Sequence, residues 1–397
     1  MTICRLACAF ALVAGSAFAQ TTLSAEIGTN GLAATELRLA ALPAPADEDR
    51  FALGAVRFLA ALERGAQVQY AAGMPATVMV PMLPLPLAES PPTTPPDPAA
   101  LARLLRDLSD SMAKAREPLQ QIAEGSDFGL TIDFADLWFD LNADGKRGEV
   151  ESVVDIAGPV VMGWEWAERD PATPAPVVRF DVADAAWLAA YTHLVGGLAD
   201  TVLAYDPTEA IRTVMDSRAA FADLSPLPDE VMAFFPTNDV DAISVLLRML
   251  DQTPDTARAA QAHGNFLAMI AQNRVFWAWV AAETDDNAEW VPNDRQASAT
   301  GLVLPQGTGA AWLAVLGDVE TILKGEVLLP FWRVGPDAGL NLARLFTDPR
   351  PIDVAGWIQG ADALPYLEKG RVATGEQVMA FDDMVSGNSG LFAIFLN

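Results

Sequence analysis

The chain has 397 residues, 51% hydrophobic and 19% charged, with 52 acidic side chains against 25 basic ones and a formal net charge of -27. A surface of that sign repels nucleic acid and anionic lipid, and it suits a cation or plain solubility in a salty exterior. Both cysteines, Cys4 and Cys8, lie at the extreme N-terminus and only His193 and His263 offer an imidazole, which excludes thiolate chemistry in the body of the chain and an ordinary catalytic zinc site.

The first residues read as a secretory signal peptide. Arg5 precedes the apolar run from Leu6 to Val13, and the small-residue triplet Ala17-Phe18-Ala19 closes the segment just before Gln20. A membrane span would need roughly 20 apolar residues. Residues 1–19 are therefore expected to be removed after Ala19, leaving an exported protein, periplasmic or extracellular, with no thiol. A lipid anchor on Cys8 is the competing reading, and Arg5, standing where an apolar residue is wanted, opposes it.

Residues 20–74 are expected to form N-terminal helices. Leu37, Leu39 and Leu42, and then Phe51, Leu53, Val56, Leu59 and Leu62, recur on either side of Pro43 and Pro45. Residues 75–98 carry nine prolines, which remove backbone donors and hold the chain extended, so this stretch reads as a connector. Its first half, Val78 to Leu83, is apolar, whereas Ser90 to Pro98 looks like solvated polyproline.

Residues 99–397 are expected to be a helical domain. Leu101, Leu104, Leu105, Leu108, Met112, Leu119 and Ile122 form one apolar stripe. Asp181 followed by Asp184 is a capping box for a long helix. Trp187, Leu188, Leu194, Val195, Leu198 and Val202 give that helix a broad apolar face, with Ala189, Gly196 and Gly197 opposite, so it should be buried on more than one side. Further helices are expected from Asn238 to Leu250, from Pro254 through Val280, and over Ala310–Leu323, Leu340–Phe346 and Glu376–Met384. Strand signals are few: Leu130–Phe134 and the terminal Leu391–Leu396. Val275–Ala282 is strongly apolar but flanked by Arg274 and Glu283, so it reads as buried helix, and no membrane span is expected. The fold class that follows is mainly α, a multi-helix globular body with few short strands.

Chemistry concentrates in residues 140–151, Asp-Leu-Asn-Ala-Asp-Gly-Lys-Arg-Gly-Glu-Val-Glu. Calcium is a hard cation that wants six to eight oxygens, and a twelve-residue loop can supply them from fixed positions. Here Asp140, Asn142 and Asp144 alternate so that their side chains converge, Gly145 permits a sharp turn, and Lys146 can offer its main-chain carbonyl. Gly148 leaves one position to water, and Glu151 can close the shell with both carboxylate oxygens.

This stretch resembles the calcium-binding loop of EF-hand proteins, and the resemblance covers these twelve residues alone. It implies a Ca2+ ion held by Asp140, Asn142, Asp144, Lys146 and Glu151. Two departures stand out. The eighth position, aliphatic where two loops pair, is Arg147, and no second matching loop exists. The incoming segment alternates like a strand. The loop is thus expected to be solitary, with flanks other than two helices. Asp285-Asp286-Asn287-Ala288-Glu289 has the acids but no glycine; it reads as a solvated loop, with Asp285 marking where a second, irregular site would be sought.

Other motifs carry less. His193 lies on the small-residue face of its helix and reads as a packed or capping histidine. Asp382 with Asp383, Glu165 with Glu168, and Asp285 with Glu289 read as surface acids before a glycosidase pair. Ten tryptophans can line a sugar cleft, but at helical spacings they fill cores. Gly307-Thr308-Gly309 does not continue into a phosphate loop, and Ser389 misses the nucleophile-elbow spacing. The function read from the sequence is an exported calcium-binding protein whose ion is structural. The alternative is a calcium-stabilised exported hydrolase acting on glycans. A calcium sensor ranks last, because an exported site meets roughly millimolar calcium and stays filled.

Overall fold

The computed structural model describes residues 22–72, 87, 92–161, 166, 168–170, 172–224 and 237–396. The segment expected to be a signal peptide cleaved after Ala19, and most of the Pro-rich connector, lie outside the described residues.

Local signals set the helix boundaries. Helix α1 (Leu23–Ala40) starts where the Thr22 side chain accepts the Ala25 N–H, and the Pro43–Pro45 break separates it from α2 (Asp47–Ala71). The apolar stripe after Pro98 becomes α3 (Ala100–Leu119). A strand, β1 (Leu130–Asp133), follows, with a single 3-10 turn over Phe134–Asp136. Helix α4 (Val153–Val161) leads to β2 (Val177–Phe180), which pairs antiparallel with β1, Leu130 facing Phe180 and Asp133 facing Val177.

Helix α5 (Val182–Leu203) begins on the expected capping box: Asp181 accepts the Ala183 N–H and Asp184 accepts the Asp181 N–H, both at 2.9 Å. Helices α6 (Thr208–Leu224) and α7 (Thr237–Leu250) pack on each other. Helix α8 (Thr256–Ala282), capped by Asp255, and α9 (Thr308–Leu323) follow. A second small ribbon joins β3 (Ala338–Leu340) to β4 (Leu367–Lys369), with α10 (Leu342–Thr347) and α11 (Val354–Gln359) between them. The chain closes with α12 (Glu376–Met384) and α13 (Ser389–Leu396).

The fold is mainly α, with two short two-stranded sheets among the described residues. The terminal Leu391–Leu396 segment, expected as a strand, is helical. A short apolar run does not reveal its period. Phe392 and Leu396, one helical turn apart, are both buried, which is what a helix laid on a core requires.

Helix α5 is the centre of the body. Leu188 and Val195 belong to a core built with α1, α2, α3 and β1, whereas Ala186 and Ala190 belong to a second core with α8, α9, α12 and α13. Gly197 allows the close approach of α8, since a Cβ there would stand 2.9 Å from the Phe266 ring. A buried polar network fastens the same helices. Asp200 accepts from Ser109 on α3 at 3.0 Å and from Arg258 on α8 at 2.7 Å, while Asn265 donates to its other oxygen at 3.3 Å. His193 lies beside this network as a packed residue. No described helix is long and apolar enough to cross a membrane.

Candidate metal centre

The loop sits on a stem. Trp138 and Ser152 face each other across an isolated antiparallel bridge, the Phe139 N–H donates to the Glu151 carbonyl at 2.8 Å, and the Val153 N–H donates to the Leu137 carbonyl at 3.0 Å. The incoming flank is β1 with its 3-10 turn and the outgoing flank is α4, so the loop joins a strand to a helix. Trp138 fixes the stem to α1. Gly31 takes φ 76° and breaks that helix, and one turn earlier the Ile27 carbonyl accepts the Trp138 indole N–H at 3.0 Å.

Within the loop the acids turn onto main-chain donors. Asp140 accepts from the N–H groups of Asp144 at 3.0 Å and Gly145 at 2.9 Å. Asn142 accepts from Asp144 at 3.0 Å, and Asp144 accepts from Lys146 at 2.8 Å. Glu151 reaches back beneath the turn: one oxygen accepts the Leu141 N–H at 2.8 Å and the other accepts the Gly148 N–H. Gly145 takes φ 74°, a conformation that costs glycine nothing, and no neighbour would meet a Cβ there, so the backbone rather than space selects the residue. Residues 142–150 are exposed, while Glu151 is only 2% exposed at the base of the turn. Arg147 donates outward to the Ala135 carbonyl at 2.8 Å.

Two residues that no local sequence motif marks hold this loop in place. Glu63 and Gln67, one turn apart on α2, clamp the first loop residue: Glu63 accepts the Asp140 N–H at 3.0 Å and Gln67 donates to the Asp140 carbonyl at 2.7 Å. Burial pushes the Glu63 carboxyl above its ordinary value, the Asp140 N–H opposes that push, and the charges of Asp140 and Glu151 add to it. The only trace in the sequence is a polar pair at i and i+4 on a helix face otherwise read as apolar.

The oxygens of Asp140, Asp144 and Glu151 are not gathered to within 4.8 Å of one another; among the described residues the group that meets this spacing is Asp181, Glu283 and Glu289. Asp181 caps the start of α5, Glu283 closes the end of α8, and Glu289 lies on the loop beyond it. Burial is the largest influence on all three and raises their carboxyls, reaching about 7 at Glu283, where the Gln296 amide opposes the shift and the charges of Asp181, Glu289 and Asp285 reinforce it. Asp184 beside them is also pushed well up by burial. Such a cluster can keep a proton on Glu283 up to about 7 or share one cation. From sequence, Asp285 to Glu289 is expected to be one solvated loop. Asp285 is exposed, but Glu289 turns inward and is 5% exposed. The cluster was hidden because its members approach only through the packing of α5 on α8.

The remaining candidates stay apart. His193 donates from Nδ1 to the Asn265 side-chain oxygen at 2.9 Å, a direction fixed because the Asn265 amide group is turned toward Asp200. Asp382 and Asp383 lie on α12. Trp277, Trp290 and Trp312 fill the second core, while Trp332 is 70% exposed. Trp164 and Glu165 fall outside the described residues. No protein-family model, curated protein or solved structure matches the chain.

Proposed function

We propose that this is an exported protein that binds one calcium ion in the Asp140–Glu151 loop, and that the ion serves the fold rather than a reaction. What supports the reading is the pattern of the turn. Asp140, Asn142 and Asp144 lie over successive main-chain N–H groups, and Glu151 closes beneath them from the far end of the loop. Each carboxylate spends part of its acceptor capacity on those donors and keeps lone pairs for a cation. The ion would tie the exit of β1 to the entry of α4 and neutralise acids that repel one another. Glu63, itself buried and acidic at the base of the loop, adds to that repulsion.

A ligand that binds only the folded state, at ~100 times its dissociation constant, adds about 2.7 kcal/mol, a melting shift of a few degrees in a chain this long. The test is a calorimetric titration of the mature chain with calcium, paired with melting in calcium and in chelator. One site is expected, lost in Glu151→Gln and in Asp140→Ala and kept in Asp285→Ala. The acid cluster at Asp181, Glu283 and Glu289 is the second position where a cation fits. A titration that loses its site in Glu283→Gln while Glu151→Gln keeps it would move the ion there. Identical melting in calcium and chelator would end the calcium reading altogether.

A further inference from the structure

We propose that the chain also takes up an unbranched alkyl chain of about eight carbons, the tail of an amphiphile with an uncharged head, in an apolar pocket beside the loop stem. The pocket has a volume of ~210 Å3 and lies between α1, α2, the β1–β2 ribbon, α4 and α5. Among the described residues that line it, none carries a charge. A buried water needs two to four polar partners, and a dry engineered cavity of ~150 Å3 lined by aliphatic and aromatic side chains takes up benzene. By that measure a larger and equally apolar pocket holds about eight carbons and has little hold on water.

The pocket is built rather than left over. Ala52 and Ala55 on α2 and Ala157 and Gly158 on α4 line it with side chains too small to fill it. Its aromatic walls are held by rings packed on one another at tilted or edge-on angles: Phe51 lies 5.5 Å from Phe128 and 5.6 Å from Phe180, and Trp187 lies 5.1 Å from Tyr191 and 5.6 Å from Trp290. Those contacts resist inward collapse. Leu23, Phe134, Val153 and Ala157 in its wall are partly exposed, so a polar head can stay in water. A net charge of -27 disfavours an anionic head, and no acidic side chain among the described lining residues stands ready to pair with a cationic one. The shape suits a chain rather than a compact ring, because the lining follows α2 from Phe51 to Leu62, about 16 Å at 1.5 Å per residue.

Uptake of the alkyl chain does not depend on the cation. Its test is a titration of the full mature chain with 8-bromo-1-octanol, whose heavy atom quenches nearby indoles, read by tryptophan fluorescence and repeated by calorimetry with 1-octanol. Saturable quenching is expected, because Trp187 and Trp290 line the pocket. Filling the pocket with Ala55→Leu, or independently with Ala157→Leu, should weaken binding at least tenfold in whichever variant keeps the wild-type far-ultraviolet spectrum. The double variant Trp187→Phe with Trp290→Phe should lose the saturable quenching and keep the calorimetric heat. Quenching that only rises in proportion to ligand, as it would if the chain's own apolar residues fill the space, overturns the proposal. So does saturation with unchanged affinity in both filled variants.

Discussion

Glu63 accepts a hydrogen bond from the main-chain N–H of Asp140 at 3.0 Å, joining the third turn from the end of α2 to the first residue of the acidic loop. An unmatched buried N–H costs about 1–3 kcal/mol, whereas an amide oxygen can replace the carboxylate as acceptor. Glu63→Ala should therefore lower stability by about that amount in urea unfolding, and Glu63→Gln by much less. In chelator Glu63→Gln should even gain on the wild type, because it removes a buried charge that Asp140 and Glu151 repel. Equal losses in the two variants would show that the hydrogen bond does not hold the loop.

The carboxyl of Glu283 gives the apo protein a definite pH dependence. Its native value is raised from 4.5 to about 7, so between those values the folded state holds a proton that the unfolded chain has released. Stability from this group is complete below the ordinary carboxylate value and is lost as pH rises through about 7. In chelator, Glu283→Gln should melt progressively higher than the wild type as pH is raised from 5 to 8, and the gap should be smallest at the acid end. A gap that is constant with pH would place the titration elsewhere.

His193 titrates in the opposite sense. Burial, and then the Arg116 charge, lower it from 6.5 to about 4, while its hydrogen bond to Asn265 works against the shift. A depressed imidazole contributes stability that is full above its ordinary value and is lost as pH falls toward 4. Proton spectra of the ring should show no titration through pH 6.5 and a midpoint near 4. A midpoint at the ordinary value would mean the ring is solvated, against its place beside Asn265.

How much of this was legible depends on sequence distance. Asp181 with Asp184, and Asp255, mark helix starts through bonds to residues two or three positions on, and each stands where the sequence puts a start or within one residue of it, whereas the Thr22 cap of α1 precedes the apolar period by which that helix is read. Asp140 to Glu151 is local in the same way, so its residues and turn glycine are readable as one unit. Glu63 and Gln67 were not, because their partner is more than seventy positions away and each alone looks like a polar residue on an amphipathic helix. Asp181, Glu283 and Glu289 meet only once α5 packs on α8. The small residues around the pocket were invisible for a related reason: Ala52, Ala55 and Ala157 read as helix formers, and the space they leave exists only between elements.

Trp138 offers a way to place the ion without relying on stability. It stands two residues before Asp140 on the stem, with its indole fixed by the Ile27 carbonyl at 3.0 Å and its backbone paired to Ser152, the residue after Glu151. Terbium occupies calcium sites made of carboxylates and emits when a nearby indole passes on its excitation, a transfer that falls steeply with distance. The acid cluster has its own reporter, since Trp290 directly follows Glu289. With terbium in the loop, tryptophan excitation should give strong emission that Trp138→Phe removes and Trp290→Phe leaves, while calorimetry shows that Trp138→Phe still binds the metal. With the ion at the cluster, the two variants exchange roles. Calcium added in excess should quench the emission in either case by displacing terbium, which separates a specific site from ions scattered over an acidic surface. Emission that survives both variants, or that calcium does not displace, would mean that neither position holds the ion.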